Sequence, residues 1–202
     1  MPKVHPNLSS ASLATKGQAV DDVPQAEVLT VWNKSLLFNG KGFTVFDSKG
    51  NLVFRVDSYA SLTKSSDILL MDATGSPLLT IRRKQRLGLG DTWGVYEGEE
   101  TRTARFVVKK HVSIRSAKSL AHVTCSSSGA AAAYEIEGSY ARRCCAVYDG
   151  ERRCVAEIKR KEAAVGGVSL GVDVFRLVVH PEIECSVAMA LVVLLEQMFG
   201  SR

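Results

Sequence analysis

The chain has 202 residues and a mass of 21.9 kDa, which suits a single domain, since chains divide only beyond roughly 250 residues. Hydrophobic residues make up 46% and charged residues 23%, with 16 Gly and 5 Pro, and these values exclude disordered, collagen-like and disulfide-scaffold proteins. The net charge of +5 and the pI near 9.0 favour anionic partners such as lipid headgroups or nucleic acid.

The first residues predict a flexible N-terminal tail, 1–27, that precedes one folded domain, 28–202. The tail contains Pro2, Pro6 and Pro24 among small polar residues, and no hydrophobic period is sustained along it. It also lacks the continuous apolar stretch of a secretory signal. We therefore expect a cytoplasmic protein that can reach the plasma membrane as a peripheral protein or enter the nucleus.

From Val28 onward the pattern is that of short antiparallel strands. Residues 51–57 alternate between polar positions and Leu52, Phe54 and Val56, as expected of a half-buried strand. Turn signals recur at Asp47–Gly50, Asp72–Gly75, Glu97–Gly98 and Asp149–Gly150. The first two turns repeat one design at a spacing of 25 residues, with Asp capping the turn and Gly accepting a positive φ.

The C-terminal segment predicts a helix over Glu182–Phe199 that is apolar on every side. Residues 187–195 contain no polar side chain, so this helix must be buried all round. Nine residues span only about 14 Å, half of a bilayer core of about 30 Å, and the flanking glutamates are costly in lipid. The protein's own sheet is the remaining environment for this helix.

A closed barrel can supply that environment if it has more strands than the about eight whose side chains fill their own interior. Eleven or twelve strand candidates lie between Val28 and Val179. The sequence therefore predicts a mainly β fold, a closed antiparallel barrel of about 12 strands around a central hydrophobic C-terminal helix.

Two motifs resemble catalytic or cofactor-binding signatures, but their context differs. Gly167–Gly171 matches GxSxG, yet it runs into a strand instead of a helix, and an extended strand separates Asp173 from His180. Gly88–Gly94 misses the dinucleotide-binding spacing and lacks a βαβ setting. We expect no enzyme and no catalytic residues.

Cysteines and histidines predict no metal site and no cofactor. The five cysteines include no CxxC pair, and the adjacent Cys144 and Cys145 would face opposite sides of a strand. We expect reduced, mostly buried thiols, as in a cytosolic or nuclear compartment. The four histidines are scattered, without HExxH or a Cys/His cluster.

Basic residues are the remaining candidates for function. The window 82–118 holds ten Lys or Arg residues against four acids, a net charge of +6. Its clusters nominate five anionic-ligand candidates: Arg82, Lys84, Arg86, Lys109 and Lys110. Further basic groups occur at Arg142–Arg143, Arg152–Arg153 and Lys159–Lys161. Three interpretations of these groups remain open: a solvated barrel surface, a phosphoinositide or acidic-headgroup site, and a nucleic-acid surface. Nucleic acid is disfavoured because Trp93, Tyr96 and Phe106 are expected to point into the core.

Several segments together resemble the plant LURP-one-related proteins. They are LTVWNKSLLF (29–38), GFTVFDSKGNLVFRVDSY (42–59), ILLMDATGSPLLTIRRK (68–84), WGVYEGE (93–99), EGSYARRCCAVYDG (137–150) and residues 173–198. The resemblance covers nearly all of 28–199 and implies a Tubby C-terminal-like fold, which agrees with the argument from the apolar helix. It leaves the N-terminal tail unexplained.

The resemblance also carries functional expectations. Its superfamily includes tubby proteins, which are membrane-tethered phosphoinositide binders linked to transcription, and phospholipid scramblases; its founding member is associated with plant defence. With the basic window 82–118 and no catalytic constellation, we expect a non-enzymatic module that binds phosphoinositides, other anionic membranes or a signalling protein, with a role in defence or stress signalling. The alternatives are a scramblase-like lipid translocator and a membrane-tethered transcription regulator. No EF-hand-like loop is present, which removes the usual basis for calcium-driven scrambling. The five anionic-ligand candidates are nominated by their clustering alone, because tubby's lipid-contacting residues do not align with this chain.

Overall fold

A computed structural model describes residues 25–36, 42–58, 67–84, 92–100, 102–111, 118–126, 132–161 and 171–200. Within these ranges the chain forms twelve strands and one helix. They are β1 (Glu27–Trp32), β2 (Gly42–Phe46), β3 (Leu52–Ser58), β4 (Ile68–Asp72), β5 (Pro77–Lys84), β6 (Thr92–Glu97), β7 (Phe106–Lys110), β8 (Ser119–Cys125), β9 (Ala132–Ser139), β10 (Cys144–Asp149), β11 (Cys154–Arg160), β12 (Val174–Val179) and α1 (Cys185–Phe199). Most of the predicted tail, residues 1–24, lies outside the described residues, as does most of the GxSxG segment.

The strands form one closed antiparallel barrel in which each strand pairs with its neighbours in sequence. Pairing of β1 with β12 closes the barrel, with Leu29 opposite Leu177 and Val31 opposite Phe175. Closure removes the exposed sheet edges that would otherwise recruit other strands. The predicted closed barrel of about 12 strands is confirmed.

Helix α1 provides the centre of the core. Every residue from Val187 to Leu195 is buried, and these residues form one hydrophobic cluster with the inward side chains of the strands. Each fully buried Val or Leu contributes about 1.5–3 kcal/mol relative to exposure, so the barrel and the helix stabilise each other. The predicted central helix is confirmed, although it begins at Cys185 and not at Glu182. Within the described residues, no helix combines the length and the apolar character that a bilayer crossing requires.

The barrel has two distinct ends, which are named here by the termini of the helix. At the N-terminal end of α1 lie the strand ends that flank the β2–β3, β4–β5, β6–β7, β8–β9 and β10–β11 connections, and the segment between β12 and α1. At the C-terminal end of α1 lie the strand ends that flank the β1–β2, β3–β4, β5–β6, β7–β8, β9–β10 and β11–β12 connections. The antiparallel order of the strands determines at which of the two ends each strand end lies.

Three hairpins at the helix N-terminal end share one turn design. Asp47 Oδ1 accepts hydrogen bonds from the amides of Lys49 and Asn51, both at 2.8 Å. Asp72 and Asp149 bind the amides two and four residues ahead in the same way. Gly50 and Gly75 adopt positive φ as predicted, but in the third turn the positive φ belongs to Arg152 and not to Gly150.

Two expectations about side-chain placement are wrong. Of the five cysteines only Cys145 is buried; Cys144 is exposed and the other three are intermediate. Cys144 and Cys145 do differ in exposure as strand alternation requires, and burial raises the pKa of the Cys145 thiol to about 12. Tyr96 is buried but not part of the core, because it alternates with Trp93 and Val95 and lies on the outer face of β6.

Candidate anionic-ligand surface

Charged residues are distributed unequally between the two ends of the barrel. We count a residue at an end when it lies in the connection or within the last three strand residues there. At the helix C-terminal end the described cations are Lys34, Arg82, Arg83, Lys84, Lys109, Lys110, Lys118, Arg142, Arg143, Lys159, Arg160, Lys161 and Arg176; the carboxylates are Asp57, Asp67, Glu137, Asp173 and Glu196. Thirteen cations against five carboxylates make this the basic end.

The opposite end has the reverse balance. Its described carboxylates are Glu27, Asp47, Asp72, Glu97, Glu99, Glu100, Asp149, Glu151, Glu182 and Glu184, and its cations are Lys49, Arg102, Arg105, Arg152 and Arg153. Ten carboxylates against five cations make this the acidic end. Formal charges of +8 and −5 thus face opposite directions along the barrel axis, a separation that orients the protein in an external field.

Arg82, the first of the five predicted residues, is already paired. It lies on β5, and its Nε donates to Asp67 Oδ1 at 2.7 Å while a second nitrogen binds the other oxygen. Such bidentate Arg–carboxylate pairs are among the strong ion pairs of proteins. Arg82 therefore offers an incoming anion little unpaired charge.

Lys84 and Lys109 are brought together on the outer face. Lys84 on β5 is opposite Thr92 on β6, which is in turn opposite Lys109 on β7. Neither lysine pairs with a carboxylate among the described residues, and Lys109 is exposed. The Lys84 ammonium lies 5.9 Å from the centroid of the Tyr96 ring, which covers Gly94 so closely that a Cβ there would be 2.7 Å from it. These two lysines are the predicted residues best placed to meet an anion.

Lys110, in contrast, faces inward at the rim. Its Nζ donates to the carbonyl of Met198 at 2.9 Å and lies 4.5 Å from the centroid of the Phe199 ring. It satisfies a carbonyl of the last helical turn and places a cation at the negative end of the helix dipole. Arg86 lies outside the described residues.

The Arg142–Arg143 pair divides into one exposed and one buried side chain. Arg143 is only 5% exposed. Its Nε donates to Val172 O at 2.8 Å, and its Nη2 lies 3.6 Å from Glu196 Oε2 on the helix. The rings of Tyr140 and Phe175 flank its guanidinium at 4.1 and 4.5 Å. Arg143 therefore locks the helix to the barrel wall, and Arg142 remains at the surface.

Other cations of the basic end complete the surface. Arg176 lies on the outer face of β12, opposite Lys159 on one side and Thr30 on the other. Arg176, Arg160 and Lys161 form no ion pair among the described residues. Lys34 and Arg176 were missed because each is isolated in sequence. The register places Arg176 beside Lys159, and Lys34 lies in the segment that follows β1 at the same end.

Apolar side chains are exposed at the same end. Trp32, Leu36 and Val172 are 43%, 56% and 44% exposed. The hydrogen bond of 2.7 Å from Asn33 N to Asp173 O holds the segments that carry them side by side, and Trp32 contacts Phe46 edge to face at 5.7 Å. The basic end therefore combines unpaired cations with exposed apolar groups.

Two clusters of possible metal ligands form from residues that are scattered in sequence. His111, directly after β7, and His122 on β8 have their Nδ1 and Nε2 atoms 2.9 Å apart. Donor atoms of Cys154, Glu157 and His180 all lie within 4.8 Å of one another. The sequence contains no Cys/His motif around His180, and only the fold brings His180 within reach of Cys154 and Glu157.

Known proteins resemble the chain throughout the barrel. The model of the family described as LURP-one-related matches residues 27–196. The Arabidopsis thaliana protein LURP-one-related 8 is 51% identical over 204 aligned residues that cover 100% of both chains. LURP-one-related 17 from the same plant is 41% identical over 95% of this chain and 92% of its own.

A solved structure supports the same fold. The X-ray structure of another Arabidopsis thaliana protein has a TM-score of 0.63, covering 86% of this chain and 91% of its own at 24% identity. Because that likeness concerns the fold alone, the assignment rests on the sequence matches: the chain belongs to the LURP-one-related family.

Proposed function

We propose that this protein is a non-enzymatic module whose basic end docks on anionic phospholipid headgroups, phosphoinositides among them. The observation that carries the proposal is the separation of charge along the barrel, with +8 at one end and −5 at the other when the described residues are counted. A surface that attracts anions at one end only would approach a negatively charged membrane in one orientation.

Unpaired charge supports this reading. Apart from Lys110, which binds a helix carbonyl, eight cations of the basic end have no ion pair among the described residues: Lys34, Lys84, Lys109, Lys118, Arg142, Arg160, Lys161 and Arg176. Each Lys or Arg near an anionic membrane contributes about 1 kcal/mol. Four or five in simultaneous contact would give attachment that is measurable, reversible and sensitive to salt.

Exposed apolar residues favour lipid over nucleic acid. Trp is enriched at membrane interfaces because its ring is apolar at one side and donates a hydrogen bond at the other, which suits Trp32. Leu36 and Val172 are aliphatic and cannot stack on bases, but they can enter the headgroup region. Tyr96, the aromatic ring beside Lys84, is only 5% exposed and thus offers no stacking platform.

Reversible membrane attachment is also a suitable basis for signalling. The relatives described above are plant proteins, so plant membranes are the source of headgroups that we propose. A role in defence or stress signalling, which the family resemblance implies, is part of this proposal.

Vesicle co-sedimentation tests the function. The full chain is mixed with phosphatidylcholine vesicles, with vesicles that also contain phosphatidylserine, and with vesicles that contain a phosphoinositide at the same total charge. We expect binding to both anionic vesicles and none to the neutral ones. Stronger binding to the phosphoinositide at equal charge identifies it as the preferred headgroup, and equal binding to all three vesicles contradicts the proposal.

Matched charge reversals locate the surface. Lys109→Glu with Arg176→Glu changes the basic end by four charges, and Lys49→Glu with Arg102→Glu makes the same change at the acidic end. The basic-end pair is expected to weaken binding by at least about tenfold, since each charge counts for about 1 kcal/mol. Equal losses from both pairs would show that net charge alone drives attachment and would contradict docking by the basic end.

A further inference from the structure

We propose a zinc site on the outer face of the barrel, formed by Cys154, Glu157 and His180. Their donor atoms, one sulfur, one carboxylate oxygen and one imidazole nitrogen, all lie within 4.8 Å of one another. The site lies on β11 and at the end of β12, away from the basic end, and does not rest on the proposed membrane function.

A β-bulge creates this cluster. In a regular strand, residues 154 and 157 would face opposite sides because side chains alternate with period two. Here the register between β10 and β11 shifts: Val147 is opposite Ala156 and Tyr148 is opposite Cys154, which leaves Val155 as an extra residue. The bulge turns Cys154 to the same outer face as Glu157. Bulges commonly re-aim side chains at functional sites.

His180 is held beside them by its backbone. Its amide donates to Val155 O at 2.9 Å, and its carbonyl accepts from the amide of Ile183 at 3.2 Å. Glu157 is opposite Val178 on β12, so His180, two residues further along the chain, lies on the same outer face. Two of the three ligands therefore lie on β11, and the third directly follows β12, the strand that pairs with β11; this support keeps the ligands in position.

The chemistry of the donors indicates the cation. Thiolate, imidazole and carboxylate are the three side-chain ligands of Zn²⁺, and hard cations such as Ca²⁺ or Mg²⁺ prefer oxygen alone. All three residues are partly buried, so their donor atoms are shielded yet reachable. Three protein ligands leave the fourth tetrahedral position to water or to a partner's side chain.

Neighbouring charges act in both directions. His180 lies at the acidic end, where Glu27 is opposite Val179 and Glu182 follows two residues later, and this negative charge favours a cation. Lys159 opposes it, because its Nζ binds Glu157 Oε2 at 2.8 Å. A carboxylate has a second oxygen, so Glu157 can ligate a metal while it retains this ion pair.

Cobalt substitution tests the site in the full-length reduced protein. Co²⁺ occupies zinc sites and gives a thiolate-to-metal charge-transfer absorption when a cysteine is a ligand. We expect this band to saturate at one equivalent and to disappear when Zn²⁺ is added. Cys154→Ser should abolish the band, and Cys144→Ser, which alters the exposed cysteine of the neighbouring strand, should leave it unchanged.

Two further variants test the other ligands. His180→Gln and Glu157→Gln each remove a proposed ligand. Loss of an outer-shell partner alone weakens metal affinity about 10–100-fold, so each variant should weaken Zn²⁺ affinity by at least that factor. His122→Gln should leave the thiolate-to-cobalt band unchanged, because the His111–His122 pair contains no thiol. Circular dichroism spectra and melting temperatures show whether each variant is folded. Absence of the band, its persistence in folded Cys154→Ser, or unchanged affinity in folded His180→Gln would overturn the proposal.

Discussion

At the acidic end of the barrel most carboxylates are bound to backbone amides or to arginines. At the basic end nine of thirteen cations, Lys110 among them, form no ion pair with a described carboxylate. Asp47, Asp72 and Asp149 each organise a turn, and Arg105 bridges Glu97 and Glu184. The acidic end thus uses its charges to hold the fold. The basic end leaves its charges available to something outside the chain.

Arg143 is the buried cation of the basic end among the described residues, and removing its charge should have the largest effect on stability. Arg143→Met leaves Glu196 without its ion pair and removes the two stacking contacts, so we expect a loss of about 3–5 kcal/mol in the free energy of unfolding. Arg142→Met is the matched control and should change it by less than about 0.5 kcal/mol. Urea denaturation measures both. Similar losses in the two variants would refute the assignment of Arg143 to the fold.

Acid should weaken the acidic end. Hydrogen bonds from Asn51 and Thr74 lower the pKa of Asp47 and Asp72, and Arg105 lowers that of Glu184. Their unfolded values are about 3.9 for Asp and 4.3 for Glu. Because the folded values lie lower, their stabilisation is complete above the unfolded pKa and is lost as the pH falls through the folded pKa.

Melting temperatures recorded from about pH 6 to about pH 2 measure this effect. We expect them to fall below about pH 4, and the double variant Asp47→Asn with Asp72→Asn should melt lower at pH 6 and show a shallower fall. An unchanged slope in this variant would mean that other carboxylates govern the acid response.

A smaller effect should distinguish paired from unpaired arginines. Arg105→Met removes two ion pairs at the acidic end and should cost about 0.5–1 kcal/mol, as expected of partly exposed pairs. Arg176→Met at the basic end removes an unpaired cation and should cost less than about 0.5 kcal/mol. Equal costs, measured by urea denaturation, would remove the contrast between the two ends.

The fold could be predicted from sequence because two independent constraints agree. A helix without a polar side between Val187 and Leu195 needs complete enclosure, and eleven or twelve strands make a barrel wide enough to provide it. Both constraints are local patterns, of period 2 in the strands and of composition in the helix. The start of the helix was less accurate, because the turn at His180–Ile183 precedes Cys185.

The surface could be predicted only in part because it depends on register. Arg82 meets Asp67 across a hairpin, and Lys110 meets Met198, 88 residues away in the sequence. No local pattern reveals either partner. The bulge at Val155 likewise overrides the alternation that would separate Cys154 from Glu157.

Tryptophan fluorescence with brominated lipids tests docking by the basic end most directly. The chain has two tryptophans; Trp93 is 3% exposed in the core, and Trp32 is 43% exposed at the basic end. With anionic vesicles that contain brominated lipid, we expect a blue shift and quenching of the emission, and both effects should be absent in Trp32→Phe. Vesicle binding without quenching in the wild type would show that another surface faces the membrane.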